Sequence, residues 1–597
     1  MVSMVTRNRW SARTRAIVWS LIGLVVLVVA SAAWVGVRGL LAKSELEKAA
    51  PIASTIEHEI VAGKTTDAEA ESARLTRYAD SAASLTSDPV WRVAEVVPWV
   101  GANLSAVREA ASATDIVATQ VVAPLTSIAS NLNVSTFKPE NGAINLRPII
   151  AIQPKLSAAQ SALDGVAKQV ALISTTGTIQ PVSSAVSSLS TSVDRATAVV
   201  DSVGNAVKLI PSMLGLDGAR NYLLLFQNPA ELRSTGGIAG AQALIHTDDG
   251  KITLAVQSSS AQIPVLDSPI AKLPIDTQGL YGQKPAEFIQ DVNLTPNFPL
   301  SAQLASALWT HRYGSSVDGV ITLDPIVLGY ILNATGPITL PDNVTLTSAN
   351  AVQVLLSQVY SMFPNNDEQD AFFAQAAANV FERVSAGNVN VAAMISALSQ
   401  GGTERRILIW SAHPKEQAVL AGTTLAGELP SSTPKKAGIG VYLNDATGAK
   451  MDYYLSVEAS STSQICRRDG HPNARVTVTL KNTAPLDAAT SLPAYVLGLG
   501  VTGIPSGSVR TLVSVYGPVG SLMTSTTSNG ADFAHHAATD SGRAVSQFSV
   551  ELATGESKTV TVDLLNMHQT ANAVSLQMTP GIATRLKSSI AQKCATP

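Results

Sequence analysis

Residues 221–240 read NYLLLFQNPAELRSTGGIAG. Tyr222 to Phe226 is a short, wholly apolar run, which predicts a buried strand. Gln227, Asn228, Glu231, Arg233, Ser234 and Thr235 follow at once, then the pair Gly236 and Gly237. In an α/β domain a polar corner at the carboxyl end of a strand lies where ligands bind. The neighbouring sequence agrees with such a domain. QALIHTDD, KITLAVQ and DGVITLD read as further strands. PLSAQLASALWTHRYG, DPIVLGYILNAT, SANAVQVLLSQVYS and DEQDAFFAQAAANVFERVSAG read as helices. The Asp-Gly of HTDDGKITL predicts a tight hairpin turn. Residues 211–430 are expected to form a central α/β domain.

Working outward, residues 437–597 change to short, alternating, β-branched runs such as ARVTVTLKNTAP and SGSVRTLVSVYGP. These predict a β-sandwich, with LPSSTPKKAG (429–438) as the linker into it. ELATGESKTVTVDL is expected to be a hairpin turning at Thr-Gly-Glu. Residues 41–210 space small and apolar residues at three and four, which predicts a helical stalk or platform. Within it, Ser87 and Asp88 are expected to cap a helix with Pro89 in its first turn.

Residues 1–40 hold Arg7, Arg9, Arg13 and Arg15 before an uncharged apolar run from Ala16 to Val37. That run is long enough to cross a hydrocarbon core of ~30 Å. Trp19 and Trp34 stand near its ends, where indoles favour the interface. Arginines before the run predict a cytoplasmic N-terminus, a single transmembrane helix and an extracytoplasmic body. The competing reading is a cleaved signal peptide with its cut near Ala30-Ser31-Ala32. The fold class expected is therefore multidomain α+β: transmembrane anchor, helical stalk, central α/β domain and C-terminal sandwich.

The chain has 597 residues, 46% apolar but only 14% charged, with a net charge of −3. Nothing in that balance predicts nucleic-acid binding. The two cysteines, Cys466 and Cys594, fit one disulfide stapling the C-terminal region or two unpaired thiols, and the disulfide is the expectation. No Gly-x-Ser-x-Gly elbow, phosphate loop or His-Glu-x-x-His is present. His535 and His536 lie in a Gly/Ala-rich loop without further ligands at a useful spacing.

The candidate site is the corner. Arg233 offers a planar fork to phosphate oxygens. Ser234 and Thr235 add hydroxyls, and Gly236 and Gly237 open the way to backbone N–H groups. In the alternative, structural reading, Glu231 pairs with Arg233 while Gln227 and Asn228 satisfy the backbone. Asn293 and Asn297 precede a helix expected from Ser301, whose N-terminus attracts anions. Asp291, Asp318 and Asp324 are the candidate ligands for a divalent cation such as Mg²⁺. Asp324-Pro325 alternatively begins a helix.

NYLLLFQNPAELRSTGGIAG, DVNLTPNFPLSAQ, VDGVITLDPIVLGYILNATGPITL and VYLNDATGAKMDYYL resemble the domain of unknown function 4012 family. Its members are single-anchor extracytoplasmic proteins, mostly actinobacterial and often associated with surface-polysaccharide genes; no established activity comes with them. The motif order of residues 221–345 is also distantly similar to the LytR-CpsA-Psr family. Those membrane-anchored envelope enzymes move glycopolymers from polyprenyl pyrophosphate carriers onto peptidoglycan, usually with Mg²⁺. In that likeness Arg233 stands for the first arginine, AQIPVLDS keeps Ile263, Pro264 and Asp267, and Asn293 matches the Ile-Asn segment. Thr235 replaces that family's corner aspartate, and Val265 and Leu266 stand where it has a second arginine.

The two resemblances imply an envelope protein that assists assembly, attachment or export of a surface glycopolymer. Its partners would be a lipid-linked glycopolymer or peptidoglycan. If it is an enzyme, it is a glycopolymer transferase. The alternative is a non-catalytic scaffold or a protein that binds glycan or a protein partner.

Overall fold

The computed structural model describes residues 12–61, 64–131, 137–340, 343–498, 500, 502–565, 569, 573–587 and 590–591. Two compact units emerge. One takes residues before 137 together with 147–210, the other residues 137–146 with those from 211 onward.

The first unit is built of helices. Ala12–Val61 is 50 residues long. Among the described residues it is the one helix long and apolar enough to cross a membrane. Arg7 and Arg9 lie outside the described residues. Spacing of three and four puts Ala49, Ile52 and Ile56 on one stripe of this helix. Ala68, Leu75 and Ala79 of helix Thr65–Thr86 pack against it. Asp88 caps Pro89–Ala94, its carboxylate accepting the N–H groups of Val90 and Trp91 at 2.8 and 3.0 Å. Gly101–Ile116, a π-helical stretch Val117–Val122 and Ala123–Asn131 form one long rod. Arg147–Ala171 and Gln180–Met213 complete the set.

The second unit opens with β1 (Arg220–Arg233), β2 (Gly236–Asp248), β3 (Lys251–Ser259) and β4 (Gly319–Leu323). A small hairpin, β5 (Ile338–Thr339) with β6 (Thr345–Leu346), precedes β7 (Ile409–Ser411). The main sheet has the order β3-β2-β1-β4-β7. Only β1 and β4 run parallel in it. Asp249 and Gly250 form the expected two-residue turn, at φ of 42° and 80°, the left-handed pair that matches strand twist. The period of two puts Val320 on one face with Leu223 and Leu225, beneath helix Phe298–Tyr313. Ile321 and Leu323 take the other face, beside helix Pro325–Thr335.

Residues 436–591 supply β8 (Lys436–Asp445), β9 (Leu455–Gln464), β10 (Asn473–Asn482) and β11 (Val509–Val519). Then come β12 (Leu522–Ser528), β13 (Ala531–Asp532), β14 (His536–Asp540) and β15 (Arg543–Leu552). The last are β16 (Ser557–Leu565), β17 (Ala573–Met578), β18 (Ala583–Leu586) and β19 (Ile590–Ala591). One sheet runs β13-β12-β16-β10-β9-β18, with β19 also on β9; the other runs β14-β15-β11-β8-β17. ELATGESKTVTVDL is therefore not a hairpin. β15 pairs with β11 and β14, β16 with β10 and β12, and the Thr-Gly-Glu turn carries the chain from one sheet to the other. Alternating residues of both sheets, among them Ile439, Val441, Val476, Val478, Val513 and Phe548, join Val327, Ile331 and Leu332 in one apolar cluster. Residues 211–430 and 436–591 thus share a core. Cys466 is disulfide-bonded; Cys594 lies outside the described residues.

Candidate functional site

β1 does not stop where its apolar run stops. It continues to Arg233 with register shifts against β2 between Phe226 and Gln227 and between Asn228 and Leu232. Pro229 has no N–H to give the ladder, so the strand bulges there. The Asn228 side-chain oxygen accepts the Ala230 N–H at 3.0 Å inside the bulge. Gly237 lies so close that a Cβ on it would sit 2.1 Å from the Asn228 carbonyl, and Gly236 has φ +147°. Both glycines serve close approach and backbone freedom.

Past the bulge the corner is closed. Arg233 donates to the Leu232 and Gln290 carbonyls at 3.0 and 3.3 Å and pairs with Asp291 at 3.1 Å. Ser234 donates to the Leu294 carbonyl at 2.6 Å, while its N–H donates to Asn444 at 3.0 Å. The Thr235 hydroxyl accepts from Gln227 at 2.8 Å and from Asn293 at 3.0 Å. Asn293 also donates to the Gly237 carbonyl at 2.8 Å. Glu231 does not pair with Arg233, as the structural reading expected. It reaches Lys450 instead, and Asp291 takes its place beside the arginine.

The candidate metal ligands are not gathered. Asp318 lies at the amino end of β4, where it accepts the Asn221 N–H at 2.8 Å and bonds His413 at 2.9 Å. Asp324 lies at the other end of that strand. It caps Pro325–Thr335 through the Val327 N–H at 2.9 Å and pairs with Arg406 at 2.7 Å. Burial pushes its carboxyl above the ordinary value against the pull of Arg406. Among the described residues no three His, Cys, Asp or Glu side chains are grouped to hold a metal ion. Helix Phe298–Tyr313 begins three residues before the expected Ser301, and its N-cap Asn297 makes no side-chain cap bond.

Beside the corner, at the carboxyl ends of β1 and β4, a cavity of about 490 Å³ opens. Gln227 and Asn228 form part of its wall, joined by Gln242, Gln257, Gln262, Gln290 and Gln369 and by Ser258 to Ser260. Leu323, Leu328, Leu355, Leu356 and Phe373 give it an apolar floor. Leu355 and Leu356 belong to a π-helical turn, Val354–Gln358, an irregularity common at functional sites. Helix Asn366–Ser385 covers one side, held by Gln257, which donates to the Ala374 carbonyl at 3.0 Å.

Two wall amides are incompletely bonded. Gln242 donates to the Ala239 carbonyl at 2.6 Å and Gln227 to Thr235, yet the buried Oε1 of each has no protein partner. Buried acceptors of this kind are uncommon and call for a water or a ligand. The ionised groups deep in the wall are compensated. Lys450 bonds Glu231 and stands 5.1 and 4.8 Å from the ring centroids of Tyr360 and Tyr495. Tyr360 accepts from Asn228 at 2.9 Å, and burial pushes its phenol up to about 12. Below Lys450, Asp452 accepts the Leu232 N–H at 2.8 Å. Burial, then the neighbouring Asp445, pushes the Asp452 carboxyl well above the carboxylate range.

Of the residues expected at the site, Gln227, Asn228 and Asp324 line the cavity, and Glu231 reaches it through Lys450. Arg233, Ser234, Thr235, Gly236, Gly237 and Asn293 build the corner beside it, where the buried Oδ1 of Asn293 also has no protein partner. Sequence reasoning did not single out Gln242, Tyr360, Lys450 or Tyr495. Lys450 lay in plain view within GAKMDYYL, but no local pattern announces a partner 219 residues away.

Residues 217–360 match the family described as protein of unknown function, DUF4012. Among curated proteins and among solved structures nothing matches. The matched segment runs from just before β1 to Tyr360 and so contains the bulge, the corner and most of the cavity wall. The likeness to the DUF4012 family is thus confined to residues 217–360, less than half of the chain.

Proposed function

We propose that this chain is a single-pass, membrane-anchored extracytoplasmic binding protein. Its cavity holds a neutral, hydroxyl-rich stretch of a surface glycopolymer during assembly, attachment or export. The observation that carries this reading is the wall of amides and hydroxyls over an apolar floor, with the Oε1 atoms of Gln227 and Gln242 left unbonded. Such a surface offers many hydrogen bonds, and besides the paired Asp324 and Lys450 its lining includes the acids Asp367 and Asp370, which suits sugar hydroxyls and the apolar faces of sugar rings and opposes an anion. The pyrophosphate transferase expected from the more distant resemblance is less well supported. Pyrophosphate needs unpaired cations, and Arg233, Arg406 and Lys450 each face a carboxylate. Mg²⁺ would have to be brought by the substrate.

The test is calorimetric titration of the full chain in detergent with a panel of neutral oligosaccharides. A short polyprenyl pyrophosphate, with and without Mg²⁺, serves as the competing probe. The binding reading expects a neutral oligosaccharide to bind and Gln242→Leu to weaken it at least about tenfold, roughly 1.4 kcal/mol. Mg²⁺-dependent binding of the pyrophosphate, with none of the neutral sugars bound, overturns it.

A further inference from the structure

The helical unit has one end whose turns are apolar and uncovered. Helix Thr65–Thr86 runs antiparallel to Ala12–Val61: Ala68 and Leu75 pack near Ile52 and Ile56, whereas the Ser84 and Leu85 carbonyls accept from Arg38 at 2.9 and 2.8 Å. Arg38 ends the uncharged run, so the turn after Thr86 lies level with the place where that run stops. Asp88 pairs with Arg38 at 3.0 Å and accepts from the Trp34 indole at 3.4 Å. Trp91 is buried, and a Cβ on Gly39 would lie 3.6 Å from its ring. The chain then leads away along Gly101–Ile116, because Ala118 rejoins the cluster of Ala49 to Ile56. A second turn, between Arg147–Ala171 and Gln180–Met213, ends at the same level: the Ile179 N–H donates to Asn103 at 2.8 Å.

Both turns present apolar side chains to the outside. On the first, Val93, Val96, Val97 and Val100 are exposed, and Trp99 is 91% exposed. On the second, Leu172 is 83% exposed and Ile179 is exposed too. Trp99 also has φ +74°, a strained conformation for a bulky residue that persists only where something over-determines it. The first turn contains two acids, Asp88 and Glu95. Asp88 is held by Arg38, and Glu95 by Arg108 at 2.6 Å. The second turn, LISTTGTI, has none.

We propose that these two turns are a second membrane contact, seated in the interface of the leaflet from which the anchor helix emerges, with Trp99 as the deepest indole. The proposal rests on the reading of Ala12–Val61 as the anchor and extends it. What selects a bilayer as the occupant is continuity with that helix, whose apolar run ends beside Asp88. An aromatic and aliphatic patch with its acids neutralised partitions into the interface. The contact would fix the tilt of the helical unit on the membrane.

The test is indole quenching of the full chain reconstituted in phosphatidylcholine vesicles whose acyl chains are brominated near the headgroup. The lipid-quenched emission should fall by roughly a third in Trp99→Phe, the share of one indole among Trp19, Trp34 and Trp99. The double variant Val96→Asp/Val97→Asp should leave Trp19 and Trp34 quenched by lipid while Trp99 becomes quenchable by aqueous iodide. If Trp19 and Trp34 are lipid-quenched and Trp99 answers only to iodide in the wild type, the second contact is wrong and the anchor stands. If none of these indoles is lipid-quenched, both readings fall.

Discussion

Gln227 and Thr235 are eight residues apart and hydrogen-bonded to each other, yet they belong to regions in opposite states. From Arg233 to Gly237 the corner spends its polar groups on the protein: Arg233 on Asp291 and two carbonyls, Ser234 on Leu294 and Asn444. Across the bulge, the cavity wall keeps an amide oxygen in reserve at Gln242, while the unbonded oxygens of Gln227, which lies over Gly236, and of Asn293 mark the seam between the two regions. The difference teaches that a cluster of polar residues after a strand is not itself a site. Saturated groups stabilise; unsaturated ones are what a ligand can use.

Substitutions separate the two regions, and the largest effect is expected in the corner. Gly237→Val should cost more than about 4 kcal/mol or prevent folding, because its Cβ would lie 2.1 Å from the Asn228 carbonyl. Urea unfolding measures it, and a variant as stable as wild type would mean that the corner is not closed. Next is the clamp between the regions. Lys450→Met leaves the half-buried Glu231 without its partner and should cost on the order of 2 to 3 kcal/mol. Adding Glu231→Gln should recover much of that loss, so a strictly additive double variant would refute the pairing.

Asp452→Asn sharpens the comparison through pH. The folded carboxyl is raised, so the native state holds a proton that the unfolded chain releases earlier. The stability this contributes is present below the ordinary carboxylate value and is lost as pH rises through the folded one. The asparagine variant should therefore gain on wild type as pH increases from about 4 towards neutrality, read as the difference in melting temperature. A difference flat with pH would show that Asp452 is ionised in the fold. The smallest effect on stability belongs to the cavity. Gln242→Leu removes an unbonded buried oxygen together with the hydrogen bond to the Ala239 carbonyl and should cost on the order of 1 to 2 kcal/mol, while still weakening oligosaccharide binding. A large loss of stability would move Gln242 from the wall to the framework.

Several local features were legible because their chemistry is local. Asp88 and Asp324 cap helices that begin with proline, Asp249-Gly250 turns a hairpin, and the apolar run of Ala16 to Val37 forms a helix long enough to cross a membrane. Each needs only residues within a turn of chain. ELATGESKTVTVDL misled for the complementary reason. Its two strands carry the right alternation and turn, but pairing partners are chosen by distant strands, and here they lie in two sheets. The expected Glu231–Arg233 pair failed in the same way: proximity in sequence lost to Lys450 and Asp291 arriving from elsewhere.

By itself, then, the sequence determined the periods of its helices and strands, their caps and tight turns, the apolar helix and the match of residues 217–360 to the DUF4012 family. Those follow from backbone sterics and hydrophobic spacing, which act over a few residues. Only the tertiary structure decided which polar groups were left over. Whether an amide, an arginine or a carboxylate is satisfied depends on what long-range packing brings within about 3 Å of it. In this chain that packing paired the ions and hydroxyls of the corner and left amide oxygens at Gln227, Gln242 and Asn293 without a protein partner.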